Sequence, residues 1–281
     1  MIVGLDIGGS TTKIVALENE KIIGKLQVKA DDPVASAYGA VGKFLNHHGF
    51  KVEHVDKLFV TGVGSSFLKQ PILGIETHRV SEVSSIGIGG CYVSRLDRVV
   101  VVSMGTGTAI VFADRIKEDV HHMIGSGVGG GTILGLARAL LGTRDIHRFS
   151  ALSDKGNINA VDLSINDISK QEIAGLHPDV TASNFGKVVD VTNEADIAIG
   201  ITNLVFQTIG TLAVAVARGE GCKDIVFTGN LSHLPSGQKT LKLVAELYDF
   251  NFHFPKYGEY ATAIGAALHN HLSFKAEDEV L

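Results

Sequence analysis

The chain has 281 residues, a net charge of −5 and 45% hydrophobic residues. That balance fits a globular α/β protein with room for two modest domains, and it argues against a nucleic-acid or anionic-membrane partner. The only two cysteines, Cys91 and Cys222, form neither a framework nor a C-x-x-C pair, which excludes a disulfide-stapled scaffold and makes a reducing compartment the default.

No basic region precedes the first strand-like residues, so no signal peptide is expected and the protein is read as cytoplasmic. The chain opens with a short apolar run that ends in Asp6, turns through Gly8, Gly9, Ser10, Thr11 and Thr12, and resumes after Lys13 as Ile14–Leu17. This pattern predicts a β-hairpin. Its glycines let backbone N–H groups approach an anion, its hydroxyls add donors, Lys13 adds positive charge, and Asp6 suits a hydrated Mg²⁺ held through water. On these residues alone, an anion cradle and an ordinary Gly-Gly turn are equally good readings.

Lys21–Val28 alternates as a third strand, and Asp32-Pro33 starts a helix that runs to His48 and stops at Gly49. Lys57–Thr61 reads as a buried strand, Ile72–Val80 as strand-like, and Glu82–Leu96 as a helix, despite Gly87, Gly89 and Gly90. A second round then begins. Val99–Ser103, a Met104–Thr108 turn containing Thr106 and Gly107, and Ala109–Phe112 repeat the opening architecture. Two copies of one loop suggest related domains facing each other across a cleft, with a ligand held between them.

Lys117–Met123 does not read as a clean strand. Gly125-x-Gly127-x-x-Gly130 after it formally matches the dinucleotide fingerprint, but no acid follows at the required distance. The better reading of Gly129, Gly130, Gly131 and Thr132 is a phosphate or adenosine contact at a helix N-terminus. Residues 143–191 read as an irregular, α-rich insertion. Ile197–Ala217 carries no charge and is long enough to span a bilayer, but its polar interruptions favour a buried helix. Asp224–Thr228 is a strand broken by Gly229 and Asn230, followed by a helix near Gln238–Tyr248, a strand at Phe250–Phe254, a last helix from about Glu259 to His271, and an acidic tail read as frayed. No G-x-x-x-x-G-K-[ST], H-E-x-x-H or zinc spacing occurs. Glu82, at a helix start, is the leading candidate acid outside the loops, and His122 stands just ahead of the glycine-rich loop.

Asp6–Ser10, Ser103–Thr108 and Phe227–Ser232 together resemble the two phosphate loops and the adenosine loop of the actin/hexokinase/sugar-kinase superfamily. Within it, Gly127–Thr132, Gly156–Leu163 and Val180–Gly186 resemble the type II (eukaryotic-like) pantothenate kinases. The resemblance implies two ribonuclease H-like (actin-like ATPase) domains, at residues 1–97 and 98–281, with an interdomain ATP cleft and a last helix (259–271) packing back near the hinge. It implies an enzyme that phosphorylates pantothenate with ATP and Mg²⁺ as the first step towards coenzyme A. It also implies a homodimer and regulation by a CoA thioester.

By the same resemblance Asp6, Gly8–Lys13, Thr106, Gly107, Gly129–Thr132, Gly229 and Asn230 hold the nucleotide. Glu82 becomes the catalytic base, and His122 stands where the family has an arginine. Without a gap, however, the family's glutamate position falls on Val80, and Glu82 reaches it only through a short local deletion. Two other readings stay open: a kinase of another small alcohol or sugar, and a nucleotide-gated activator of the same superfamily.

Overall fold

A computed structural model describes residues 1–169, 180–189, 192–269 and 279–280. Strands β1 (Ile2–Ile7), β2 (Thr11–Glu18) and β3 (Lys21–Lys29) form an antiparallel meander. Helix α1 (Pro33–His48) follows. Asp32 caps it by accepting from the Ala35 N–H at 2.7 Å, and Gly49 ends it in the left-handed region. β4 (Lys57–Thr61) and β5 (Thr77–Arg79) then add in parallel on the other side of β1.

Helix α2 (Glu82–Ser94) leads into the second half, whose strands β6 (Arg98–Met104), β7 (Thr108–Asp114) and β8 (Asp119–Ser126) form another antiparallel meander. Next come α3 (Gly130–Leu141), α4 (Ile146–Ser153), the short β9 (Leu163–Ser164), α5 (Ile165–Ile168), β10 (Thr181–Ser183) and the long α6 (Glu194–Gly219). The chain continues through β11 (Asp224–Thr228), α7 (Pro235–Tyr248), β12 (Asn251–His253), α8 (Ala261–Ala267) and β13 (Glu279–Val280).

The two large sheets are copies. One runs β13-β5-β4-β1-β2-β3 and the other β12-β11-β6-β7-β8. Leaving out β13, each has a meander on one side and two parallel strands on the other. Helices α2 and α8 lie between the sheets, and each packs on the sheet of the other half. Ile86 and Cys91 of α2 join a core with Val99, Val101 and Val111, while Ala263, Ile264 and Ala267 of α8 join one with Val15 and Leu17. The helices touch through glycines, because a Cβ on Gly89 would stand 1.9 Å from the Ala261 carbonyl oxygen and one on Gly265 1.8 Å from that of Ser85. Of the glycines that weaken a helix reading of this stretch, Gly89 is what lets the helices approach, while Gly87 and Gly90 pack on Val120, Ala113 and Val101 of the second sheet. The outer faces are covered by α1 on the first sheet and by α3, α4, α6 and α7 on the second.

Several expectations change. Residues 119–126 are a full strand, with a bulge at Met123 opposite Ile110 and Val111 of β7, so the alternation shifts without ending the strand. Within Ile72–Val80 only Thr77–Arg79 is strand, preceded by a 3₁₀ turn at Ile72–Gly74. The insertion carries α4 and α5 but also the β9–β10 ladder, and residues 170–179 and 190–191 lie outside the described residues. Helix α6 is long and apolar enough to cross a membrane, yet it is mostly buried in the core of the second half. In the tail, Glu279 and Val280 pair with β5 rather than fray, and the end of the last helix towards His271 lies outside the described residues.

Candidate active site

Sheet register brings the first cluster together. Asp6 of β1 lies opposite Lys13 on β2 and opposite Thr61 on β4, so the three side chains share one face at the strand end. Asp6 and Lys13 are both buried. Among the described residues neither side chain has a hydrogen bond or an ion pair, and the buried Thr61 hydroxyl has no partner. Buried polar groups are ordinarily satisfied, and each exception calls for an explanation. Burial holds the Asp6 carboxyl above its usual range, while the Lys13 charge pulls the other way. After β4, Gly62 turns with φ 85°, where a Cβ would meet the Asp6 carboxylate oxygen at 2.6 Å. Glycine is required there to leave that oxygen room.

Glu82 reaches the same cavity from the N-terminus of α2. Ser81 caps that helix by accepting from the Ser84 N–H. Glu82 is exposed towards the cleft, but the surrounding walls raise its carboxyl and the Asp6 charge raises it further. Val80 is 4% exposed and packs against Phe59 and Ala266. The ungapped register would therefore put the catalytic position in the core, whereas Glu82 opens on the cleft.

The second half supplies the facing wall. Thr106 and Gly107 of the β6–β7 turn, together with Gly229 and Asn230 after β11, line one cavity of about 350 Å³ with Asp6, Gly8, Gly9, Ser10, Thr11, Lys13 and Glu82. The loops meet directly: the Ser10 and Thr106 hydroxyls are 2.9 Å apart, and Asn230 Nδ2 donates to Thr11 Oγ1 at 3.2 Å. Glycines and hydroxyls from both halves, with the Lys13 cation and the Asp6 carboxylate that have no hydrogen-bond partner among the described residues, suit a phosphate chain and its metal.

Three sequence expectations land elsewhere. Gly129, Gly130, Gly131 and Thr132 stand behind the β6–β7 turn rather than on the cavity wall. The Gly130 N–H donates to the Gly105 carbonyl at 2.9 Å, that of Gly131 to Thr106 at 2.8 Å, and that of Gly129 to Thr132 Oγ1 at 3.2 Å. The Gly130 and Gly131 N–H groups, expected to be free for an anion, instead brace the turn that faces it, and the Gly129 N–H is taken by the helix's own Thr132. Thr12 is fully buried, one position beyond the face that carries Lys13. His122 does not itself line the cavity, but its Nε2 lies 3.7 Å from where a Cβ on the cavity-lining Gly125 would stand.

Sequence reasoning missed Thr262 at the start of α8, which also lines the cavity. It also missed a repeat: Thr61-Gly62 and Thr228-Gly229 each close a parallel strand, turn with φ 85° and 84°, and enter a 3₁₀ turn. The paired Thr-Gly after an apolar run was the available signal.

A family model named Fumble matches residues 35–269. A type II pantothenate kinase of Bacillus cereus is 24% identical over 95% of this chain and 97% of its own length. One of Staphylococcus aureus is 26% identical over 95% and 98%. A rice pantothenate kinase 1 is 34% identical over 52% of this chain and 22% of its own. Among solved structures, the activator of 2-hydroxyisocaproyl-CoA dehydratase from Clostridium difficile with bound ADPNP superposes with a TM-score of 0.69 at 17% identity, covering 95% of this chain and 93% of that one. A ROK family glucokinase from Streptomyces griseus in complex with glucose and AMPPNP reaches 0.59 at 11%, covering 95% and 97%. These structures share the fold, two actin-like α/β halves around a cleft.

Proposed function

The chain belongs to the Fumble family, and from that premise we propose that it is a kinase that transfers the terminal phosphoryl group of ATP to pantothenate, giving 4'-phosphopantothenate. The reading is supported by relatives named type II pantothenate kinase that match over 95% of the chain. The observation that carries it to this cleft is the pair of buried, unpaired charges, Asp6 and Lys13, facing Glu82 across one cavity.

Phosphoryl transfer needs little covalent chemistry from the protein and is mostly positioning and charge neutralisation. MgATP, when bound, supplies the group transferred and a metal charge. Asp6 would hold the metal through water, consistent with a carboxylate that has no protein donor. Lys13 supplies positive charge beside the transferring end, and the Gly9 and Gly107 N–H groups with the hydroxyls of Ser10, Thr11 and Thr106 orient the phosphate chain. Gly229 and Asn230 stand where the nucleoside end would lie. Glu82 accepts the proton of the acceptor hydroxyl, and its raised carboxyl makes it a stronger base than an ordinary glutamate. Mg²⁺ as the metal, a homodimer, a CoA thioester regulator and a cytoplasmic location are finer parts of the same proposal, and they rest on the family resemblance.

The activator reading is not favoured. Cys91 and Cys222 are buried, and burial pushes the Cys91 thiol up to about 12, the wrong direction for a thiolate ligand. A coupled ADP-release assay with pantothenate, pantetheine and a panel of sugars tests the proposal. Turnover with pantothenate is expected, and turnover on a sugar alone would overturn it.

A further inference from the structure

The cleft has a side chamber that the roles above leave unused. Val63 and Phe67, in the 3₁₀ turn after β4, are 65% and 61% exposed. With Pro33 they line a cavity of about 230 Å³ that opens beside Gly8 and Gly9 and carries one acid, Asp31. Gly8, Gly9 and Val63 also line the main cavity, so the chamber adjoins the space lined by Asp6 and Glu82. The internal repeat places this turn further. Val63 follows Thr61-Gly62 as Asn230 follows Thr228-Gly229, and both line the main cavity from opposite halves. The two positions differ in chemistry: Asn230 offers an amide, and Val63 offers only methyl groups. Arg79 fixes the apolar copy by donating to the carbonyls of Ser65 at 3.3 Å and Leu68 at 2.6 Å, which ties the turn to the strand leading to Glu82.

On the reading of the acceptor as pantothenate, we propose that the Val63–Phe67 turn is the acceptor's specificity wall and receives its two geminal methyl groups. In pantothenate the reacting hydroxyl sits on a methylene bonded to a quaternary carbon with two methyls. A base that reaches that hydroxyl therefore brings the methyls within a few ångströms, and only an apolar surface beside the base accommodates them without loss. Val63 is such a surface in the cavity that holds Glu82. Asp31 at the chamber also repels a carboxylate, so the acid end of the acceptor points out of the chamber.

The test compares kcat/KM for pantothenate with that for the analogue lacking both geminal methyls, in wild type, Val63→Ser and Val63→Thr. Wild type should prefer pantothenate. Val63→Ser should lower that preference by about tenfold or more, the scale of one or two methyl-sized contacts in an apolar pocket. Val63→Thr, which keeps the volume and exchanges one methyl for a hydroxyl, should give an intermediate loss. It also serves as the readout if the serine variant folds poorly. An unchanged preference in a variant that still phosphorylates pantothenate overturns the specificity wall alone. Absence of pantothenate turnover in the wild type removes the acceptor reading and the inference with it.

Discussion

The two halves present the same frame with different side chains. In the first, the strand-end trio is Asp6, Lys13 and Thr61; at the matching positions of the second it is Ser103, Ala109 and Thr228. The shared threonines and the glycines after them belong to the frame, since each Thr-Gly ends a parallel strand and turns with positive φ. The charges occur only in the first half. One copy therefore carries buried charge with no hydrogen-bond or ion-pair partner among the described residues, while the other is neutral, which fits a reacting end on one wall and a nucleotide handle on the other. Burying unpaired charge costs stability, and a fold keeps such a cost where a ligand offsets it.

Making the first half resemble the second is the strongest way to break this asymmetry. Asp6→Ser and Lys13→Ala should each lower kcat/KM by about 10²–10³, the scale of removing one preorganised electrostatic group, as measured by ADP release. Wild-type rates in either would mean that the asymmetry has no catalytic meaning. The reverse change, Ser103→Asp, adds a carboxylate to the neutral wall and should weaken ATP binding by about tenfold, or about 1.4 kcal/mol, as read by calorimetry.

The same comparison predicts a gain in stability. The folded state raises the Asp6 pKa, so the ionised carboxylate penalises folding at pH values above its unfolded pKa, and the penalty disappears once both states are protonated. Asp6→Ser should therefore unfold at a higher temperature than wild type at neutral pH, as read by thermal melting. The difference should fade as pH falls below the ordinary carboxylate range. The smallest effect is on the pH profile. Because burial and the Asp6 charge both raise Glu82, the acid limb of kcat/KM should lie above the 4.5 of an ordinary glutamate. In residual Asp6→Ser activity it should move down.

Much of this was legible in the sequence, for identifiable reasons. The hairpin loops announce themselves because glycines and hydroxyls interrupt otherwise apolar strands, and their repetition implies two facing halves. What was not legible depends on long-range packing. Gly89 and Gly265 look like helix breakers until the other helix's backbone is seen against them. The Gly129–Gly131 N–H groups look like an anion site until Thr132 is found to take the first and the β6–β7 turn the other two. Glu82 and Val80 could not be ranked from spacing alone, because the choice depends on which side of the strand–helix junction faces the cleft. Asp162 lies inside the Gly156–Leu163 stretch. It is buried, accepting from the Phe185 N–H at 2.8 Å, Asn203 Nδ2 at 2.7 Å and Asn184 Nδ2 at 3.1 Å, and so fastens the insertion to α6. A satisfied acid and an unsatisfied one look alike in one dimension.

The measurement that bears most directly on the central claim is a Glu82→Gln variant, assayed for turnover of ATP with pantothenate and, in the same preparation, for ATP binding. The carboxylate's loss should cut kcat by about 10²–10⁴, the usual contribution of a positioned general base, while ATP affinity stays at the wild-type value. Full turnover in Glu82→Gln would contradict the assignment of this cleft's chemistry.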